Sequence, residues 1–431
     1  MSTTTASAPR AQNRSYVLGL LVLVYAFNFI DRQILSIVGP AVQADLGIND
    51  AQFGYLTGVF FALFYSVLGI PVAILADRVS RITVIAVSLA IWSGFTVLSG
   101  FASTFVILAL FRVGVAIGEA GGSPPSHSIL SDLYAPKERG RALGIYSLGI
   151  PFGIMAAFFI GAYFARSGEM DWRATLIAVG APGILLAALL KLTVKEPPRR
   201  GMRSGPRASL GEALGQLLPF RSYWLMALGA AGASFAGYAV SAFIVIYLTR
   251  AFPDIPLFQI LVMLGLFNGI PYALGAFAGG AVADRFAARS VASYGLVAAL
   301  SLAIVTPTII AAFWTDSFAL FLVLFGINIF FGGFYLGPSF SVAQNLAPPE
   351  IRATSTAIFF LVLNIIALGG GSTIIGIVST ALTDQYGAEQ GLRLALTWLI
   401  VPYLVAIGCY LAAARSLPGD WAVAQRAQDE G

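Results

Sequence analysis

Twelve apolar runs, each long enough to cross a bilayer, dominate this chain. They fall at about 16–38, 52–75, 82–101, 104–125, 140–165 and 173–193, then 222–249, 257–282, 290–313, 317–343, 354–380 and 392–414. A helix rises about 1.5 Å per residue, so some 20 residues cover a hydrocarbon core of about 30 Å. Inside that core every backbone N–H and C=O must be paired within the protein, which leaves helices or closed barrels. Runs of this length predict an all-α membrane protein with twelve transmembrane helices in two six-helix halves. A polar, basic stretch from Lys195 to Arg221 separates the halves; it carries Pro197, Pro198, Arg199, Arg200, Arg203 and Arg207. The expected organisation is a tail (1–15), a first bundle (16–194), a linker (195–221), a second bundle (222–415) and a tail (416–431).

Composition agrees. The chain is 58% hydrophobic and 10% charged, with mean hydropathy +0.85, whereas soluble domains carry about 25% charged residues. The pI near 9.3 would point to nucleic acid in a soluble chain. Here the basic residues lie between apolar segments, so they report topology, and no nucleic-acid partner is expected. With the N-terminus inside, inner loops and tails hold 19 Lys and Arg and outer loops hold Arg166, Arg173, Arg250 and Arg393. That bias places both termini in the cytoplasm. The polar tail from Met1 to Asn13 lacks a cleavage-type signal, and the first run is long enough to span. The single cysteine, Cys409, can form no intrachain disulfide, and no metal-ligand spacing occurs. The expectation is a multi-pass integral membrane protein acting as a monomer, without a metal or organic cofactor.

Four charges sit inside these runs: Asp31 and Arg32 in the first, Arg112 and Glu119 in the fourth. A charge at mid-bilayer costs at least about 2.5–3.5 kcal/mol on insertion scales, and such residues mark pathways and proton relays. Counting rise along straight helices puts Asp31, Arg32 and Arg112 in one layer. Glu119 lies about two turns deeper, on the same helix face as Arg112. This predicts an Asp31–Arg112 ion pair, with Arg32 and Arg112 as gate or headgroup-binding residues. It leaves Glu119 without a partner at its own level. Desolvation then makes Glu119 the leading proton carrier, with Asp31 the second. The alternative is a static buried network that only fixes packing. No charge is expected at mid-membrane in the second half.

The loops repeat between halves. Asp77-Arg78-Val79-Ser80-Arg81 follows the second run and Asp284-Arg285-Phe286-Ala287-Ala288-Arg289 follows the eighth. Pro136-Lys137-Glu138-Arg139 follows the fourth and Pro349-Glu350-Ile351-Arg352 follows the tenth. Such repetition argues for internal duplication. These loops, with the Arg at the start of the fourth run, resemble the major facilitator superfamily over the whole chain. Two departures stand out: Ala73 and Ser80 replace glycines usual in the first loop, while the second keeps Gly280. The resemblance implies a cytoplasmic gate built from Asp77, Arg78, Arg81, Arg139, Asp284, Arg285, Arg289 and Arg352.

Phe27-Asn28-Phe29-Ile30-Asp31-Arg32, then Leu46-Gly47-Ile48-Asn49-Asp50-Ala51-Gln52-Phe53-Gly54 and Phe111-Arg112-Val113-Gly114-Val115-Ala116-Ile117-Gly118-Glu119-Ala120, look like the spinster-type branch, of bacterial kind. That branch is associated with proton-linked movement of sphingolipids and lysophospholipids. Importers of organic anions carry similar Asn-x-x-Asp-Arg strings. The resemblance places the protein in a bacterial inner membrane, with membrane lipids around it.

Candidate substrate-cavity residues are Tyr25, Asn28, Tyr238, Asn268, Tyr272, Asn328, Tyr335 and Asn364, with Ser234, Ser241, Phe235, Phe267 and Phe331 interleaved. Mid-membrane Tyr and Asn need partners for their polar atoms. Gly149-Ile150-Pro151, Gly269-Ile270-Pro271 and Gly369-Gly370-Gly371 allow bending or close helix approach. His127, the only histidine, is expected to be solvated at a membrane interface. Gly118-Glu119-Ala120-Gly121-Gly122-Ser123 lacks the Lys and spacing of a P-loop, which disfavours an ATP-driven pump or any other enzyme. The expected function is proton-coupled secondary transport, by alternating access, of an amphipathic anionic lipid of lysophospholipid or sphingolipid type, with protons as coupling ion. The alternatives are proton symport of a small organic anion such as a sugar acid and, remotely, a non-transporting membrane sensor.

Overall fold

The computed structural model describes residues 13–168, 170–199, 210–348 and 350–429; the side chains of Ile70, Ala73, Ile74, Asp77, Pro136, Leu210, Ala353 and residues 427–429 lie outside that description. The described residues are helical throughout their ordered elements, with twelve candidate spans. In order these are Arg14–Ile37, Asp50–Gly69, Arg81–Ser99, Phe105–Leu133, Lys137–Ala165, Trp172–Thr193, Arg221–Ala251, Leu257–Ala287, Ser293–Phe313, Phe318–Asn345, Thr354–Tyr386 and Ala388–Arg426. They are called the first to twelfth spans below.

Local chemistry sets several helix starts. Asn13 accepts from the N–H groups of Ser15 and Tyr16, and Asn49 and Gln52 form a reciprocal capping box at the second span. Ser80, Thr104, Asp171 and Ser317 cap the third, fourth, sixth and tenth. Each cap satisfies N–H groups that the helix cannot pair itself. Large apolar side chains such as Leu192 (84% exposed) and Phe277 (79%) point outward, where a lipid-facing surface accepts them.

The halves share their interruptions. The fourth span breaks between Glu119 and Ser123, the tenth between Gly332 and Leu336. The fifth breaks at Leu148, and the eleventh carries a π-helical turn at Asn364–Leu368 just before Gly369-Gly370-Gly371. Matching breaks in matching spans strengthen the duplication inferred from the loops.

The linker contains the helix Leu210–Leu217. The last helix runs from Ile400 to Asp429, so the segment from 416 continues it. Its extension buries Leu417 and Ala424, stacks Trp421 on Tyr294, and lets Asp420 accept from Ser222 N at 2.7 Å.

Candidate functional site

The fourth span builds one wall of the site. Gly114, Gly118 and Gly121 let it press onto the third: a Cβ on Gly114 would sit 2.5 Å from the Phe95 ring, and one on Gly118 would sit 2.6 Å from Trp92 N. The helix ends at Glu119 and restarts at Ser123 with Pro124 and Pro125 in its first turn, where missing N–H groups cost nothing. Close packing on one side and the break on the other turn Arg112 and Glu119 towards the first span.

Two ion pairs result. Arg112 Nη1 donates to Asp31 Oδ1 at 3.3 Å, the pair expected from sequence. The Thr96 hydroxyl, on the third span, contacts Asp31 Oδ2. Arg32 Nε donates to Glu119 Oε2 at 2.6 Å. This corrects the expectation that Glu119 stands alone below a layer holding Arg32. Counting rise along straight axes ignores helix tilt and the reach of a long arginine side chain, which can extend away from its own Cα level. Asp31, Arg112 and Glu119 are buried, whereas the Arg32 side chain keeps 18% exposure.

Aromatic rings join the two pairs. The Arg32 guanidinium lies 4.8 Å from the Tyr65 ring centroid, 5.1 Å from Phe61 and 5.6 Å from Phe29. The Arg112 guanidinium lies 5.6 Å from the same Phe61 ring. Phe61 therefore contacts both cations, and cation–π attraction strengthens as water is excluded. Two buried polar atoms stay without a hydrogen bond of ordinary geometry: Arg112 Nε and Glu119 Oε1. Asn28, buried on the first span, stands beside Glu119.

The other cavity candidates are spread over several places. Tyr25 stacks on Tyr146 at 4.4 Å and meets Phe29 edge-on at 5.2 Å; Tyr146 also meets the exposed His127 edge-on at 5.2 Å. Tyr238, from the second half, packs against the first-half core and faces Arg32. Asn268 and Asn328 line a small cavity of about 60 Å³ with Gln33, Ser241 and Tyr403. Tyr335 exchanges a 2.7 Å hydrogen bond with Ser234, Tyr272 is half-buried on the eighth span, and Asn364 opens the π-helical turn.

Among the described contacts, the expected gate residues bond within their own halves. Arg81 is buried within the first half: it bonds Asp132 at 2.5 Å, Ser128 at 2.8 Å, and at the linker Glu196 at 2.7 Å and Pro197 O at 3.1 Å. Glu196 also accepts from Ser80 Oγ and Ile82 N. Burial pushes the Glu196 carboxyl up, but these hydrogen bonds outweigh it and hold the group below its ordinary value. Arg139 donates to Tyr134 O, Asp284 accepts from Tyr294, and Arg352 donates to Ala347 O. Arg78, Arg285 and Arg289 are exposed, and the Asp77 side chain lies outside the described residues. Among the described residues no ion pair joins the two loops.

The halves are instead clasped at the far end of the bundle, opposite the start of the first span. Arg250 Nη1 and Nη2 each reach Asp50 at 2.8 Å, and Gln43 and Ser379 complete the network at 2.7 Å and 2.6 Å from Asp50. Ala51 N donates to Thr380 at 2.8 Å, and Val59 N to Thr373 at 3.0 Å. Gly54 and Gly58 make the approach possible: a Cβ on Gly54 would lie 2.5 Å from Ser372 O, and one on Gly58 would collide with Thr373 Oγ1. Sequence reasoning missed this clasp because Asp50 and Arg250 end their spans and read as loop residues. The signal was present as opposite charges at the same end of different halves. It also missed Thr96, Phe61, Tyr65 and Gln33, which look like ordinary span residues.

The comparisons with known proteins agree with this architecture. A crystal structure of a bacterial homologue of the human lysosomal transporter Spinster, inward-facing and unoccupied, superposes with a TM-score of 0.86 at 32% identity, covering 94% of this chain and 98% of that one. An MFS-type efflux pump of Mycolicibacterium smegmatis is 32% identical over 400 residues, 92% of each chain. A protein named as a galactarate/D-glucarate transporter of Bacillus subtilis is 26% identical over 94% of each. The family model described as Major Facilitator Superfamily matches residues 21–371. With twelve spans in two duplicated halves, a charged centre and a clasp at one end, this chain belongs to the Major Facilitator Superfamily, as a multi-pass membrane transporter of spinster-like type.

Proposed function

We propose that this protein is a proton-coupled secondary transporter of an amphipathic anionic lipid, of lysophospholipid or sphingolipid type. The observation that carries the reading is the asymmetry of the central charges. Arg32 is the partly accessible cation, its acid partner Glu119 is buried, and the facing wall offers Tyr238, Asn and Phe side chains without a mid-membrane charge. An anionic headgroup would compete with Glu119 for Arg32, since guanidinium binds phosphate and carboxylate through parallel hydrogen bonds. The uncharged wall would accept the chain. The N-terminal end is taken as cytoplasmic from the positive-inside bias, which makes the clasped far end the outer side.

Proton coupling follows from the same geometry. A headgroup on Arg32 would leave Glu119 buried without its counter-charge, and protonation relieves that cost. Asp31 has a second way to accept a proton. Thr96 lies within reach of both Asp31 Oδ2 and Trp92 O, at 3.0 Å from the latter, yet its hydroxyl has one hydrogen. A protonated Asp31 would donate to Thr96 and free Thr96 to donate to Trp92 O. The loading of protons at Glu119 and Asp31 would then alternate with headgroup binding while the halves rock about the site.

The test is flux in proteoliposomes under an imposed pH gradient, with lysophospholipids, sphingoid phosphates and sugar acids as substrates. Flux of the lipids that collapses without the gradient supports the reading. Flux confined to sugar acids replaces it with the second reading, which the similarity to the galactarate/D-glucarate transporter favours.

A further inference from the structure

The small cavity behind Gln33 has no role in the proposal above. It lies between the halves: Gln33 and Phe158 come from the first, and Ser241, Asn268, Asn328 and Tyr403 from the second. Its volume is about 60 Å³, ample for a water molecule, which needs about 10–15 Å³ of such space and two to four polar partners. The polar partners are present. Asn328 is buried and its Nδ2 stands beside the Tyr403 hydroxyl without a hydrogen bond of ordinary geometry, while the Asn268 amide spends its Nδ2 on Leu264 O at 2.9 Å. A buried amide N–H left unpaired costs free energy that water would recover.

One contact closes this cavity from the first half. Ser241 Oγ donates to Gln33 Oε1 at 2.8 Å, and Gln33 Nε2 approaches Ser241 O at 3.5 Å. Gln33 is 6% exposed and follows Asp31 and Arg32 directly in the chain. We infer that Gln33 and Ser241 form an inner gate on the clasped side, and that the polar cavity behind it holds ordered water as the closed remnant of the outward path. Because residues 31–33 share one helical turn, a shift of the backbone that accompanies rearrangement of either ion pair moves Gln33 too. The gate thereby connects the state of the central charges to the opening of the far end. It acts in series with the Asp50–Arg250 network, which joins the far end of the Ser241 helix to the start of the second span.

The inference rests on the alternating-access reading but not on substrate or proton coupling, so its test uses neither. In a Cys409→Ser background, Asn268→Cys is reacted from the far-end side with a membrane-impermeant maleimide, in vesicles without substrate or pH gradient. Losing one net hydrogen bond that exists only in the clasped state is expected to raise the labelling rate about threefold to tenfold in Gln33→Ala. Ser241→Ala, a smaller change that removes the same bond from the other side, is expected to do likewise and guards against a folding defect in the first variant. The inference is overturned if both variants label at the background rate while Arg250→Ala labels faster, since the outer network alone would then be the gate. A failure of transport in the flux experiment, with faster labelling here, would overturn the substrate reading and leave the gate standing.

Discussion

Arg32 and Glu119 lie on different helices and at different heights by simple counting, yet Arg32 Nε sits 2.6 Å from Glu119 Oε2, with the acid side chain fully buried. The pair is therefore a buried ion pair whose members depend on each other. Removing one partner of such a pair costs about 3–5 kcal/mol, because the other charge stays desolvated and unpaired. Arg32→Ala is expected to lower thermal stability markedly in detergent, and the double variant Arg32→Ala/Glu119→Gln to recover most of the loss. Thermal unfolding of the three proteins measures this; equal losses in the single and double variants would show that Glu119 does not need Arg32.

Thr96 is expected to tune Asp31. Thr96→Val removes the hydroxyl against the Asp31 carboxylate at nearly constant volume. Thr96 is within reach of the carboxylate and of Trp92 O, so its loss changes how each form of the acid is held. The pH profile of transport should shift from the parent's by roughly one unit for a charge-assisted bond. An unmoved profile with reduced rate would mark Thr96 as a packing residue only.

The far-end clasp should be sensitive to Arg250. Asp50 is buried, with a side chain 4% exposed, and takes two hydrogen bonds from Arg250. Arg250→Ala strands that carboxylate in the clasped state, but an opened far end would let it meet water. The variant is expected to populate the opened state more than tenfold over the parent, read by distance measurements between spin labels on the second and eleventh spans. An unchanged distance distribution would remove Arg250 from the clasp.

Gly58 should show the same shift by sterics. A Cβ there collides with Thr373 Oγ1 and stands 2.7 Å from Ser372 Oγ. Overpacking of this kind costs about 1–3 kcal/mol, and the share that comes from Thr373 and Ser372 of the eleventh span falls on the clasped state. Gly58→Val is expected to reduce inward-directed accessibility of the central site by about tenfold, measured with an impermeant reagent from the N-terminal side. Wild-type accessibility would mean that the second and eleventh spans can close without touching at this level.

The linker contact has a defined pH window. The Glu196 carboxyl is held below its ordinary value of 4.5 by hydrogen bonds from Arg81, Ser80 and Ile82 N, despite partial burial. A lowered folded-state value means that its contribution is complete above the ordinary value and fades as pH falls through the lower one. Docking of Lys195–Pro197 onto the first half is expected to persist at neutral pH and to loosen below about pH 4.5. Glu196→Gln should abolish that acid-dependent step, as followed by protease cleavage within the linker.

The number and class of the helices were legible in the chain because the bilayer imposes one requirement on every residue in it: paired backbone groups within an apolar surface of fixed thickness. That requirement writes itself as twelve runs and four misplaced charges, and the Asp31–Arg112 pair followed from depth alone. Membership of the superfamily was legible too, since its loops repeat in both halves. The partner of Glu119, the clasp through Asp50 and Arg250, and the contact between Gln33 and Ser241 were not. Each depends on how two helices from distant parts of the chain tilt and approach, on glycines that permit a backbone contact, and on which end of the bundle is closed. Those are properties of packing between elements, and no count of residues along a single helix contains them.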